Sequence, residues 1–217
     1  MPKARERGTL PRHVNVKAQA LLNAVKFLEE EYGQSTLRDI IQQCSPEVRE
    51  RYVSAIAINW HPVAELVELI TVAARVVGRD ETKMAELIGA AGARANMKGV
   101  FIRFTFWVAN PEYLMKRIAA LWRQFNDEGE MKVLRVEATK LVLEVPGVLE
   151  PNWLFCSTIT GWGREVATAM GVNAPSAAHI ECRSKGDARC VWEIRGNSGP
   201  SAPLSSKALA KASGGKG

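Results

Sequence analysis

Apolar residues recur at helical spacing over the first part of the chain. The pattern over residues 14–32 predicts an amphipathic helix that stops at Gly33, and a short helix is expected over residues 37–43. Ser45-Pro46 then offers a capping hydroxyl followed by a proline, the usual start of a helix. This third helix is expected to run to about Ile58.

Three further helices are predicted before the pattern changes. Pro62 opens one that ends before Gly78, residues 81–97 form the next, and Asn110-Pro111 precedes one that ends before Gly129. Gly89 and Gly92 interrupt the second of these. Glycines inside a helix either weaken it or let another backbone approach closely.

The apolar period changes from about 3.6 to 2 at Met131, which favours strands. Residues 131–145 predict two strands with a turn near Ala138, and residues 151–170 predict a helix. The last ordered stretch predicts a hairpin that turns at Lys185-Gly186-Asp187. An α+β fold is therefore expected, in which a helical layer packs on a four-stranded antiparallel sheet with a strand-strand-helix-strand-strand order.

Charge divides the chain into a neutral body and two basic ends. The total net charge is +6, of which +3 lies in residues 1–13 and +3 in residues 196–217. The net charge of residues 14–195 is therefore zero. We predict a flexible basic tail over 1–13, a single domain over 14–195 and a disordered basic tail over 196–217. Such tails can hold anionic partners weakly or simply aid solubility, so sequence-specific nucleic-acid binding is not expected.

No apolar run approaches the ~18 residues that span a bilayer, and the N-terminus has no secretory-type apolar stretch. A cytoplasmic location is expected, where thiols stay reduced. The four cysteines are therefore candidates for metal ligation or plain burial rather than for disulfides.

Three of the cysteines and one histidine suggest a metal site. Cys182 and Cys190 flank the predicted hairpin turn, His179 lies three residues before Cys182, and Cys156 lies in the preceding helix. A Cys3His set is a known arrangement for tetrahedral zinc. The C-x7-C spacing is weak by itself, so buried thiols beside an ordinary histidine remain an alternative. Glu181 is a reserve ligand, although strand alternation points it away from Cys182.

The stretch from Pro151 to Arg195 resembles the C-terminal part of the 4-vinyl reductase domain, which shares a superfamily with the transport protein particle (TRAPP) subunits. It also resembles the sensory domains of bacterial activators of phenol and xylene catabolism. In those sensors a helical cysteine, an acidic residue and a C-x7-C pair bind zinc. Cys156, Cys182 and Cys190 match the thiols, Trp192 matches an aromatic residue after the pair, and His179 replaces the acidic residue.

The resemblance implies a Zn2+ cofactor, a homodimer and an apolar pocket between helices and sheet. Aromatic side chains are the candidates for the pocket, although each is also suited to an ordinary core. They are Phe101, Phe104, Phe106, Trp107, Trp122 and Trp153.

Three functions are compatible with this picture. The preferred one is a non-catalytic sensory module that binds a hydrophobic small molecule or a partner protein, and the alternative is a TRAPP-like scaffold. A reductase-type enzyme is disfavoured because no acid, base or nucleophile set is recognisable. A cavity of roughly 300 Å³ or more would favour ligand binding over a scaffold. His61 suggests a haem ligand, since haem nitric oxide binding domains share a related topology, but a lone histidine at a helix start is more often structural.

Overall fold

Most of the described residues before Lys132 are helical. The computed structural model describes residues 14–97, 119–137, 139–147, 152–169 and 172–197. Within these ranges the helices are α1 (Ala18–Gln43), α2 (Pro46–Ser54), α3 (Val63–Val77), α4 (Glu81–Asn96), a further helical stretch at residues 119–125, and α5 (Trp153–Ala169).

The C-terminal part forms the sheet. Its strands are β3 (Lys132–Glu137), β4 (Lys140–Val145), β5 (Ser176–Glu181) and β6 (Cys190–Arg195), paired antiparallel in the order β3-β4-β6-β5. Helix α5 connects β4 to β5 and packs on β5 and β6. The predicted α+β class and the strand-strand-helix-strand-strand order are confirmed.

Local signals in the sequence fix several helix ends. Gly33 adopts φ 83° and kinks α1, so the two predicted helices form one element with a break between them. Ser45 caps α2 by accepting a hydrogen bond from the backbone N–H of Val48, and Gly78 ends α3 in the left-handed region. Helix α2 ends at Ser54, four residues earlier than expected.

A two-stranded ribbon near the N-terminus was not predicted. Strands β1 (Asn15–Lys17) and β2 (Trp60–Pro62) pair antiparallel, with Lys17 opposite Trp60. The predicted first helix therefore begins four residues later than expected, at Ala18. Three-residue strands are too short to produce a detectable alternation, and only the long-range pairing stabilises them.

Helices α4 and α5 cross with their backbones in contact. A methyl group added at Gly89 would lie 1.9 Å from the carbonyl oxygen of Thr158, and one added at Gly161 would lie 1.8 Å from that of Glu86. Gly89 thus admits another backbone, as one of the two sequence interpretations expected. This crossing fixes α5, the helix that carries Cys156, against the helical layer.

The core extends through both layers. Its fully buried members include Leu28 and Ile70 in the helices and Val145 and Trp192 in the sheet. Within the described ranges, no helix has the length and apolar character needed to cross a membrane. The predicted tails lie outside the described residues apart from Gly196 and Asn197, so the domain boundaries stay a prediction.

Candidate functional site

Two elements bring the predicted metal ligands together. Cys156 lies in the first turns of α5, whose start is capped by Asn152: its side-chain oxygen accepts hydrogen bonds from the backbone N–H groups of Leu154 and Phe155 at 2.9 and 3.1 Å. His179, Cys182 and Cys190 lie on or beside the hairpin of β5 and β6.

The hairpin turn is tightly built. Gly186 adopts φ 99°, and the Asp187 carboxylate accepts a hydrogen bond from the backbone N–H of Cys182 at 2.6 Å. A register shift in the pairing of β5 with β6 falls between His179 and Glu181. The turn therefore determines where the thiols of Cys182 and Cys190 lie.

The four ligand atoms form one compact cluster. The three sulfurs and a ring nitrogen of His179 all lie within 4.8 Å of one another, and the sulfurs of Cys156 and Cys190 are 3.8 Å apart. Metal–sulfur bonds of about 2.3 Å in a tetrahedron place two sulfurs about 3.8 Å apart. The three thiols are buried, and both ring nitrogens of His179 are buried without a hydrogen-bond partner.

The thiols differ in acidity. The hydrogen bond from Cys156 lowers the pKa of Cys190 to about 4, against the effect of burial, and the backbone N–H of Arg183 adds to this stabilisation of the thiolate. The same hydrogen bond, together with burial, raises the pKa of Cys156. The hydrogen bond from Cys156 therefore favours the thiolate form of Cys190, which is the form that binds metal ions.

Aromatic side chains hold the imidazole of His179 in place. Its ring stacks on Trp192 at a centroid distance of 4.6 Å and on Trp153 at 5.2 Å. Trp192 donates from its indole N–H to the carbonyl oxygen of Cys156 at 3.2 Å, and the ammonium of Lys185 lies 3.3 Å above the Trp153 ring. This stack fixes the histidine and leaves its nitrogens available to the cluster.

An apolar cavity of about 120 Å³ lies within the helical layer. Its described wall comes from α1, α3, α4, α5, the 119–125 stretch and residues near β1, and most of its side chains are apolar. Four polar side chains also reach it: Asn23, Asn96, Asn126 and Thr158. Asn23 donates to the side-chain oxygen of Asn96 at 3.2 Å. The sequence did carry one signal for this site, since Asn23 is a buried polar residue on the apolar face of α1.

A second cavity of about 390 Å³ adjoins the first. The two share wall residues, namely Asn96, Leu121, Phe125 and Trp162. Of the predicted pocket aromatics, Trp122 lies in the wall of the smaller cavity, whereas Trp153 stacks beside the cysteines. Phe101, Phe104, Phe106 and Trp107 lie outside the described residues.

Solved structures with the same architecture are haem nitric oxide/oxygen binding (H-NOX) proteins. An H-NOX protein from S. oneidensis in the Fe(II)NO ligation state matches with a TM-score of 0.62 at 12% identity, over 84% of this chain and 99% of that one. Fe(II) unliganded H-NOX from K. algicida matches with a TM-score of 0.62 at 12% identity, over 84% and 97%. The chain has the H-NOX fold. No protein-family model matches it, and no curated protein does.

This finding corrects the predicted family. The 4-vinyl reductase and TRAPP resemblance, including the link to the aromatic-catabolism sensors, is wrong, because the matching folds are H-NOX domains. The resemblance rested on a helical cysteine and a hairpin pair, which is a local ligand geometry that different folds can share. The match to the H-NOX structures spans helices and sheet together, over 84% of the chain.

The predicted cofactor is corrected as well. Zinc is not supported, since the matching structures are described by iron ligation states and by haem, as in a study of haem redox potential and porphyrin distortion. What the chain itself provides is the cluster of cysteines and a histidine.

The described walls of the two cavities offer a haem iron no histidine, cysteine or tyrosine. Haem iron takes an axial ligand from histidine, cysteine, tyrosine or methionine. The chain has three histidines: His13 lies outside the described residues, and His61 and His179 lie away from the cavity walls. Of these four residue types, the described walls contain only methionine: Met131 in the smaller cavity and Met97 in the larger one.

His61 has a different environment from a haem ligand. Its Nδ1 lies 3.6 Å from the Glu65 carboxylate, which also lies 3.5 Å from the guanidinium of Arg51. The residue sits in β2 at the start of α3, so a structural role agrees with its position.

Proposed function

We propose that this chain is a non-catalytic module that binds a small apolar molecule inside its helical layer. The pair of adjoining cavities carries the proposal. The larger one falls within the range of about 300–1,000 Å³ that is usual for ligand sites, and the smaller one has the usual composition, an apolar wall with a few polar groups. The H-NOX fold supports it as a fold with ligand-binding members, although a fold does not fix a ligand.

Gly92 provides the variants that test this proposal. It lines the smaller cavity on α4, and an added methyl group would meet nothing closer than 3.9 Å. Gly92→Leu should therefore project into the cavity and fill it, while Gly92→Ala, the matched control, should leave most of it open.

Xenon is a suitable probe, because apolar cavities of about 150 Å³ stay dry and bind xenon or benzene. We expect xenon NMR shifts in the wild type and in Gly92→Ala, and their loss in Gly92→Leu. Equal xenon binding by all three proteins would contradict the proposal. Native mass spectrometry of freshly purified protein gives the mass of any retained molecule and the number of subunits, so it also tests the predicted homodimer.

We also propose that Cys156, His179, Cys182 and Cys190 bind one transition-metal ion. Three thiolates and an imidazole suit an ion that prefers soft ligands. A closed set of four protein ligands leaves no position for water, so the ion would tie α5 to the hairpin instead of taking part in a reaction. The compact spacing of the ligand atoms supports this.

Elemental analysis for several transition metals tests the site. Cys182→Ser should lose the metal and lower the melting temperature. Cys44→Ser is the matched control, since Cys44 is also a buried thiol but donates to the carbonyl oxygen of Ile40 at 3.3 Å, outside the cluster. Metal that is retained by Cys182→Ser, or absent from the wild type, would refute the assignment.

A further inference from the structure

The two adjoining cavities differ in the polarity of their walls. No charged side chain lies in the described wall of the smaller cavity. The described wall of the larger one contains Lys17, Gln19 and Gln124 in addition to the shared Asn96. Among the described residues, Lys17 is thus the one charged side chain in either wall. A ligand that occupies both cavities meets an apolar environment at one end and a cationic one at the other.

Lys17 is held at the wall of the larger cavity and has no acidic partner there. The residue is half-buried, and its ammonium donates to the carbonyl oxygen of Ile58, another wall residue, at 2.6 Å. The ammonium also lies 3.7 Å from the centroid of the Trp60 ring. An ammonium has three N–H donors, and this carbonyl takes one of them. None of the ion pairs formed within the described ranges includes Lys17, so its charge is available to an anion.

Asp127 is the acidic residue that contacts this part of the chain. Its carboxylate accepts hydrogen bonds from the backbone N–H and the side-chain amide of Asn15, at 2.8 and 2.6 Å. The residue is exposed and lies in neither described wall. Its charge is therefore screened by solvent, and it does not take the place of a ligand beside Lys17.

The wall residues that the two cavities share suit the apolar part of a ligand. They are Asn96, Leu121, Phe125 and Trp162. The side-chain oxygen of Asn96 accepts a hydrogen bond from Asn23 at 3.2 Å, and that of Asn23 accepts one from Gln19 at 2.9 Å. Because these amides bind one another, the boundary between the cavities needs no charged group from a ligand. Its three large apolar side chains offer surface to an alkyl chain instead.

Size and charge limit the class of ligand further. Apolar cavities of about 150 Å³ bind benzene, so the smaller cavity, at about 120 Å³, takes the end of an alkyl chain rather than a fused ring system. The larger cavity, at about 390 Å³, has room for the rest of the molecule. One ammonium compensates one negative charge. A second negative charge on the ligand would stay partly buried without a partner, which is costly and disfavours a dianionic phosphate.

We propose that the adjoining cavities bind a straight-chain monocarboxylate of the fatty-acid type. The carboxylate pairs with the ammonium of Lys17 in the larger cavity. The alkyl chain runs past Leu121, Phe125 and Trp162, and its end lies in the smaller cavity. This inference rests on the proposed function and refines it, since it names the ligand as an apolar chain with one anionic end.

Isothermal titration calorimetry of the full chain with three probes of equal chain length tests the proposal. The probes are octanoate, octanol and octylammonium, which carry a negative, a neutral and a positive end group. Octanoate should bind at least about tenfold more tightly than octanol, because a hydrogen bond to a charged group contributes more than one between neutral groups. Octylammonium should bind most weakly, since its charge repels that of Lys17.

Lys17→Met removes the charge and keeps an unbranched apolar side chain. It should weaken octanoate binding at least about tenfold and leave octanol binding as in the wild type, which also verifies that the cavities are intact. Lys26→Met is the matched control. Lys26 lies on α1 with a side chain that is 61% exposed, pairs with Glu30 and is absent from both described walls, so this variant should bind octanoate as the wild type does.

Gly92→Leu tests where the alkyl chain ends. Gly92 lines the smaller cavity only, so a leucine there should weaken octanoate binding and leave the binding of butanoate, which is short enough for the larger cavity, unchanged. Equal binding of octanoate by the wild type and Gly92→Leu would overturn the proposed placement.

The outcomes separate this inference from the proposed function. Equal affinity for octanoate and octanol, or equal binding of octanoate by the wild type and Lys17→Met, would overturn the inference and leave the proposed function standing. Xenon shifts without binding of any octyl probe would do the same. The absence of both xenon shifts and probe binding would refute the proposed function itself.

Discussion

The crossing of α4 and α5 makes Gly89 the most informative single position for stability. A methyl group there would lie 1.9 Å from the carbonyl oxygen of Thr158, and ordinary contact begins at 3.4 Å. The two helices would have to separate by about 1.5 Å, since neither backbone can rotate away.

The cost of Gly89→Ala follows from two opposing effects. Overpacking costs about 1–3 kcal/mol, and a clash with a backbone atom belongs at the upper end of that range, about 3 kcal/mol. The better helix propensity of alanine offsets about 1 kcal/mol of this destabilisation. The net loss of about 2 kcal/mol corresponds to a melting temperature lower by about 4–8 °C for a chain of this size.

Gly92→Ala on the same helix is the control. Its methyl group meets only the Asn23 amide nitrogen, at 3.9 Å, so the propensity gain of about 0.5–1 kcal/mol should appear as a higher melting temperature. Differential scanning calorimetry of the three proteins measures both shifts. A Gly89→Ala protein that melts at or above the wild type would refute the close crossing, and with it the placement of Cys156 against the helical layer.

Three further predictions concern single positions. Gly33→Ala should lower the unfolding free energy by about 1–3 kcal/mol, because φ 83° and ψ 160° suit only glycine. No atom lies within 4 Å of the added methyl group, so urea unfolding would measure the backbone strain alone. Asn152→Ala should cost about 1 kcal/mol through loss of the α5 cap, again by urea unfolding, and Asn152→Asp should restore most of it. Arg195 and then Lys140 lower the pKa of Glu193 from its usual 4.5 to about 2. Because the pKa of Glu193 is lower in the folded than in the unfolded protein, this stabilisation is present above pH 4.5 and is lost as the pH falls towards 2. An ordinary carboxyl pKa for Glu193 in an NMR titration would contradict this prediction.

The sequence predicted the elements that local chemistry controls. Gly33, Gly78 and Ser45-Pro46 mark helix ends because φ above zero and capping hydroxyls act within a few residues. The change of apolar period at Met131 identified the sheet for the same reason: alternation is a property of neighbouring residues. The β1–β2 ribbon was missed because its stability comes from pairing between residues more than forty positions apart.

The candidate site shows the same division. The sequence by itself identified the candidate ligands, because residue types and the spacing of the hairpin pair are properties of the sequence. These candidates are Cys156, His179, Cys182 and Cys190. Only the tertiary structure brought their ligand atoms within 4.8 Å of one another, because that distance depends on how α5 lies on the hairpin.

The family and the cavities were decided by packing alone. A motif in the last third of the chain led to the wrong family, while the arrangement of helices and sheet together gave the H-NOX fold. In the sequence, Gly89 was compatible with a close approach of another backbone. Only the structure identified Thr158 as the residue that it contacts. The side-chain type at a position indicates what that position can bury or bind. Contacts between distant segments depend on the free energy of the whole packed core, and this cannot be deduced from a local sequence pattern.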